Sequence, residues 1–338
     1  MQGTKSAAMS KFALLCPVAA LLLVFCAALS GPQAAEPTLL HVNVFRSTRS
    51  LPFYAAADRG FFARHGLSVA LEFTANSERQ RAGLADGSID IAHSAVDNAV
   101  AMIDVAKADI VIVSGGDSGT NEFYVQSDIK DFADIRGHAI AVDATNTAYA
   151  LQAKKILLQH GLHAGTDYTL NPVGNGTFRL RALLDDKNNA GAILNLPYSL
   201  EAAAKGMKSL GRTTDMLGAY QADGAFVRRA WAHDNAAVLE NYLAAFIEAV
   251  RWSLDPKNRA AAVAILMDKL QLTQAMAEKS LDLMAEPGFG FAPDAKFDMA
   301  GFKNVLALRA ETEGGTPADP QRYLDLSYYD RAMKLVQK

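Results

Sequence analysis

Short hydroxyl and amide side chains gather in five stretches of this chain, and the first of them also carries two arginines. The stretches are Arg46-Ser47-Thr48-Arg49-Ser50, Ser94-Ala95-Val96-Asp97-Asn98, Gly115 to Asn121 (GGDSGTN), Asp143-Ala144-Thr145-Asn146-Thr147 and Asn195-Leu196-Pro197-Tyr198. Each follows an apolar segment that reads as a strand. Ser, Thr, Asn and Asp in such places cap helices, and the same geometry leaves backbone N–H groups pointing at an anion. Taken singly, each residue reads as a cap; five such loops converging on one cleft read as a binding site. Arg46 and Arg49 add planar cationic forks suited to a carboxylate or sulfonate, with a solvated loop or a salt bridge as their plain alternative. The candidate ligand-binding residues are Arg46, Ser47, Arg49, Ser94, Asp97, Asn121, Thr145, Asn146, Thr147, Asn195 and Tyr198, and Arg49 is expected to lead in recognising charge.

Signatures of catalysis are missing. The histidines at 41, 65, 93, 138, 160, 163 and 233 show no HExxH or other metal-ligand spacing. His160 and His163 flank Gly161 and read as a helix end interacting with its dipole. No G-x-S-x-G elbow, Walker loop or GxGxxG occurs, and Gly174-Asn175-Gly176-Thr177 reads as a turn into a helix. No catalytic residue, metal ligand or cofactor is therefore expected.

The elements that must position the loops follow an export signal. Lys5 and Lys11 form a basic n-region, Phe12 to Leu29 is almost unbroken apolar sequence, and Ser30 to Ala35 is a small-residue stretch. The spacing predicts a signal peptide over residues 1–35, cut after Ser30 or near Ala34 or Ala35; an uncleaved anchor is the alternative. Both cysteines, Cys16 and Cys26, lie inside it, so the mature chain is expected to have no disulfide and no cysteine nucleophile. It would carry 31 basic and 36 acidic side chains, a net charge of −5, which argues against nucleic acid as a partner.

Beyond the signal, strands are predicted at Thr38 to Phe45, Leu67 to Phe73, Ile89 to His93 and Ile110 to Ser114. Helices are predicted at Leu51 to His65, Ser77 to Asp86 and Val96 to Ala106. The pattern restarts with strands at Gly137 to Val142, Asp167 to Pro172 and Gly191 to Leu194, and helices at Thr147 to His160 and Phe178 to Asp185. After Gly224 only helical spacing is expected, over Ala236 to Leu254, Arg259 to Leu270, Thr273 to Ala285 and Phe297 to Ala310. This predicts α/β architecture with mainly parallel sheets and a helical tail on the first of two lobes. Arg81 to Asp86 lines up with Arg181 to Asp186 one hundred positions on, which supports two related lobes.

Four segments carry a family resemblance. Leu51 to Val69 (LPFYAAADRGFFARHGLSV) is similar to the first helix and second strand of periplasmic solute-binding proteins of ABC importers, in the nitrate/sulfonate/taurine-type group. Leu84 to Ala92 resembles that group's L-x-x-G-x-x-D-I-A segment, and Asp134 to Val142 its D-L-R-G-K-x-I-A-V segment. Ala192 to Tyr198 resembles its second-lobe strand and pocket loop. Asp185 to Ala190 departs from the pattern, lacking the usual turn glycine. The resemblance implies a two-lobed, type II periplasmic binding fold with crossing hinge segments near Gly116 to Tyr124 and Gly218 to Phe226. Lobe 1 would comprise residues 36–120 and 222–338, and lobe 2 residues 121–221. It further implies a monomer that captures a small organic anion by hinge closure and delivers it to ABC permease subunits, with no reaction. A ligand-sensing partner of a membrane receptor is the alternative. An enzyme like the thiamine-pyrimidine synthases, which share the fold, would need the cysteine-rich motif that the mature chain lacks.

Overall fold

The computed structural model describes residues 36–337, so the predicted signal peptide lies outside the described residues. Ten strands form two sheets. They are β1 (Thr38–Val44), β2 (Leu67–Phe73), β3 (Ile91–Ala95), β4 (Ile110–Ile112), β5 (Glu122–Val125), β6 (Ala139–Val142), β7 (Thr169–Pro172), β8 (Asn189–Leu194), β9 (Lys208–Arg212) and β10 (Asp223–Arg228). The first sheet has the order β2-β1-β3-β10-β4 and the second β7-β6-β8-β5-β9. In each, four strands run the same way and the fourth in the row is reversed, antiparallel to both its neighbours.

By direction the sheets are mainly parallel, as expected, with that fourth strand reversed; β10 corrects the expectation of no strand after Gly224. Both sheets are mixed, and β10 starts at Asp223. β5 and β10 are the strands that receive the chain when it crosses from one sheet to the other. They are four and six residues long and lack the alternating apolar pattern, because central strands are buried on both faces. The two crossings are tied together: the backbone N–H groups of Ala222 and Asp223 both donate to the Asp117 carbonyl, at 3.0 and 3.2 Å.

Helices α1 (Leu51–Asp58) and α2 (Phe61–Arg64) replace the single helix expected there. Gly60 sits between them at φ +71°, a conformation that ends a helix and that glycine adopts without strain. Next come α3 (Ser77–Asp86) and α4 (Val96–Asp104), then α5 (Ala148–Gln159) and α6 (Gly176–Asp185) after the crossing. Asn76 caps α3 by accepting from the Arg79 N–H, and Asn175 caps α6 by accepting from the Thr177 N–H. Matching these caps aligns the lobes at a shift of 99 rather than 100, so Gln80 of α3 corresponds to Arg179 of α6. The departing loop folds without glycine: Asp186, extended at φ −144°, closes α6 where Gly87, at φ +89°, closes α3. The Asp186 side chain accepts from the Asn188 N–H at 2.8 Å and completes the turn.

Apolar burial fixes the layers. Helix Ala236–Leu254 packs with α1, α2 and the Val42 and Val44 face of β1, whereas α4 and Met299–Glu313 cover the opposite face. In the second sheet Ile140 and Val142 meet α5, while Ala141, between them, meets α6. Ser327–Leu335 is a further helix that was not expected. Among the described residues no helix is long and apolar enough to cross a membrane.

Candidate functional site

The two sheets present their strand ends to a common cleft of about 580 Å³, its mouth included. Phe45 to Ser47 arrive from β1, Ser94 and Ala95 from β3, Asp143 from β6 and Asn195 from β8. The first turns of α3, α5 and α6 contribute Ser77, Ala148 with Tyr149, and Gly176 with Arg179. Strand ends facing helix N-termini are where an open α/β sheet offers N–H groups and side chains to a ligand. Hydrogen bonds bridge the sheets around this space. Ser77 Oγ donates to Asp143 Oδ2, and Tyr198 Oη donates to the Arg46 carbonyl at 2.6 Å.

Arg49 lies on the floor but its charge is already met. Its Nη1 stands 3.2 Å from Asp117 Oδ1 and 3.2 Å from Asp223 Oδ2, and its Nη2 donates to Tyr149 Oη at 3.1 Å. Burial alone would make the guanidinium less basic; Asp117, Tyr149 and Asp223 together outweigh that and hold it more basic than usual. Burial also pushes up both carboxyls against the pull of Arg49, Asp223 to about 7, with Asp117 adding like-charge repulsion there. One proton shared by the two acids would leave the cluster without net charge. Behind it His93, packed among Phe53, Phe246 and Tyr242, is driven by burial down to about 3 and stays neutral.

Arg179 is built differently. Only 1 % exposed, it donates from Nε to the Ile193 carbonyl, from Nη1 to the Gly174 carbonyl and from Nη2 to Asn195 Oδ1, at 3.1, 3.1 and 3.4 Å. Its guanidinium stacks 3.9 Å over the Tyr149 ring. All three acceptors are neutral, and among the described residues no carboxylate lies within 4 Å of it. A buried cation so placed is oriented but not neutralised.

Of the residues expected at the site, Arg46, Ser47, Arg49, Ser94, Asn121, Thr147, Asn195 and Tyr198 line the cleft. Asp97, Thr145 and Asn146 do not, and each has another task. Asp97 forms a buried bidentate pair with Arg309, at 2.7 and 2.6 Å. Asn146 Oδ1 accepts from the same arginine at 3.0 Å, and the Thr145 carbonyl accepts from Lys154 Nζ at 3.2 Å. The leading role expected of Arg49 is corrected by its two acids. Arg46 turns its Nη2 outward to the Lys269 carbonyl, 2.8 Å away. Ser77, Tyr149, Gln152 and Arg179 were missed as lining residues, and Asn98 and Asp143, though inside the five stretches, were not among the candidates. The signal for Arg179 was present but misaligned: a shift of 100 sets it against exposed Arg79, whereas the structural shift of 99 sets it against buried Gln80. Among the described residues no three metal-ligating side chains converge.

With this geometry in view, the model of the NMT1-like family matches residues 33–267. No curated protein matches the chain. Solved structures do. A protein of Bordetella bronchiseptica RB50 superposes with a TM-score of 0.76 at 18 % identity, over 90 % of this chain and 99 % of its own. The periplasmic nitrate-binding protein NrtA of Synechocystis PCC 6803 gives a TM-score of 0.73 at 16 % identity, over 89 % and 90 %. The alkanesulfonate-binding protein SsuA of Xanthomonas axonopodis pv. citri, bound to MOPS, gives 0.66 at 18 % identity, over 90 % and 96 %. The fold of this chain is that of the two-lobed α/β periplasmic binding proteins.

Proposed function

The chain belongs to the NMT1-like family, and on that premise we propose that it is the extracytoplasmic solute-binding component of an ABC-type importer. Residues 1–35 export it to the periplasm. Lobe 1 (36–120 and 222–338) and lobe 2 (121–221) then close on a small organic anion, and the closed monomer is handed to membrane permease subunits. The observation that carries this reading is Arg179, a buried guanidinium on the cleft wall whose protein partners are all neutral. The names of the nitrate-binding and alkanesulfonate-binding relatives support an anion at this position.

Closure follows from where the bonds run. Ser77 to Asp143, Tyr198 to the Arg46 carbonyl and Arg49 to Tyr149 each join the two lobes across the cleft. Separating the lobes breaks all three and wets the site. A ligand bound to both walls therefore favours the closed population by its differential affinity. Binding and release need no covalent step.

Thermal denaturation of the protein lacking residues 1–35, screened against carboxylates and sulfonates, tests the reading, because a ligand of the native state raises the melting temperature. Small-angle scattering should show a smaller radius of gyration with the stabilising anion. Stabilisation only by solutes that carry no acidic group would sink the anion assignment. Protein recovered from the periplasm should begin between Gly31 and Glu36 by mass spectrometry; an intact Met1 in the membrane fraction would contradict export.

A further inference from the structure

We propose that the ligand carries a protonated amine as well as its acidic group, with Asp143 and Asn98 seating the ammonium and Arg179 facing the acid; the acid end rests on the reading just given. A chain of buried hydrogen bonds whose direction is fixed at both ends leads to this. At one end the Asn43 carbonyl can only accept, so Gln80 must present Nε2 to it, at 3.1 Å. Gln80 Oε1 is then an acceptor and takes the Ser94 hydroxyl proton. Ser94 Oγ in turn accepts from Asn98 Nδ2, at 3.3 Å. At the other end Asp143 Oδ2 takes the Ser77 proton, and Ser77 Oγ accepts from Asn98 Nδ2, at 3.2 Å.

Both amide hydrogens of Asn98 are thereby spent within the wall. Asn98 Oδ1 and Asp143 Oδ1 remain as buried acceptors that no protein donor reaches, on side chains 1 % and 5 % exposed. They belong to residues that share the single hydroxyl of Ser77, and both residues line the cleft. Asn121 Oδ1, also on the cleft wall, is a third unpartnered acceptor. Among the fully buried side-chain atoms of the described cleft-lining residues, the one unpartnered donor is Arg49 Nε. A buried carboxylate oxygen without a donor is costly, and water or a neutral hydroxyl would answer the hydrogen bond but not the charge. Among the described residues no cation lies within 4 Å of Asp143. An ammonium has three donors, no acceptor and the right sign. With Arg179 on the same cleft, the complementary ligand is a small zwitterion.

Calorimetry with matched probes decides it: 3-aminopropanoate, 4-aminobutanoate and 3-aminopropanesulfonate against propanoate, butanoate and propanesulfonate, in chelator-treated buffer. The expected result is an amine-bearing member bound at least tenfold more tightly than its deaminated partner, about 1.4 kcal/mol. Asp143→Asn should bring that ratio close to one, with the variant's thermal melt confirming that it folds, whereas Arg179→Gln should weaken both members of a pair. Deaminated anions bound as tightly as their amines would overturn the zwitterion and leave the anion reading standing. A preference that survives Asp143→Asn would overturn the assignment of that residue, and a panel with no binder would overturn both readings together.

Discussion

Helices α3 and α6 hold the same place in two copies of one strand order, and both aim the fourth residue at the strand ends beside them. In α3 that residue is Gln80, which reaches Asn43 and Ser94; in α6 it is Arg179, which reaches Ile193, Gly174 and Asn195. The scaffold dictates that a long polar side chain be buried there and bonded to backbone carbonyls, but it leaves the charge open. Lobe 1 fills the position with a neutral amide and sets its own arginine, Arg49, against two acids. Lobe 2 keeps its cation without an acid. A cation on the cleft wall is thus not evidence of anion binding; a cation left uncompensated is.

Removing Arg49 breaks the comparison most forcefully. Arg49→Ala should cost about 3–5 kcal/mol of stability, because two buried carboxyls lose their partner, and urea denaturation would read it. Unchanged stability with a large loss of affinity would make Arg49 the ligand's cation after all. Arg179→Gln, which gives lobe 2 the residue of lobe 1, should weaken anion binding by about 30-fold, near 2 kcal/mol. Calorimetry would measure it; intact affinity would mean that the two helices do not differ in function. Gly176→Ala should cost roughly tenfold in affinity. The added methyl would run into the Tyr198 ring and push it from the wall where its hydroxyl meets the Arg46 carbonyl. Full affinity in that variant would show that Tyr198 moves freely.

The comparison also marks what the sequence could and could not reveal. Helix Ser77–Asp86 and helices Ala236–Leu254 and Arg259–Leu270 were legible to the residue, since capping and 3.6-residue periodicity are local signals. β5 and β10 were not, because they are short and their neighbours come from distant parts of the chain. The loops lining the cleft were found through their position after strands. Arg179 was missed because it sits one turn inside a helix, where an arginine between Phe178 and Leu180 looks like any solvated face. Only the fold shows that this turn points into the cleft. The same blindness applied to Arg49: its acids lie 68 and 174 residues away in sequence, on the two crossings, and no local pattern links them.

The smallest effect sharpens the comparison by asking whether the Arg49 cluster is neutral. Burial, opposed by Arg49 and helped by Asp117, raises Asp223 to about 7, against an ordinary carboxyl near 4. Between about pH 4 and 7 the folded protein then holds a proton that the unfolded chain has released. Stability from this group is complete below that window and declines as pH rises through it, by at most about 1.4 kcal/mol per unit. His93 works the other way: lowered by burial to about 3, it costs stability as pH falls below about 6.5. The two slopes oppose each other over most of the same range, so the wild-type profile alone would hide both. The informative quantity is the melting temperature of Asp223→Asn minus that of the wild type, in which the His93 contribution cancels. It should rise from pH 4 to 7 and level off above. A flat difference would mean that Asp117 and Asp223 are both ionised throughout, giving the lobe 1 cluster a net charge of −1 beside the cleft.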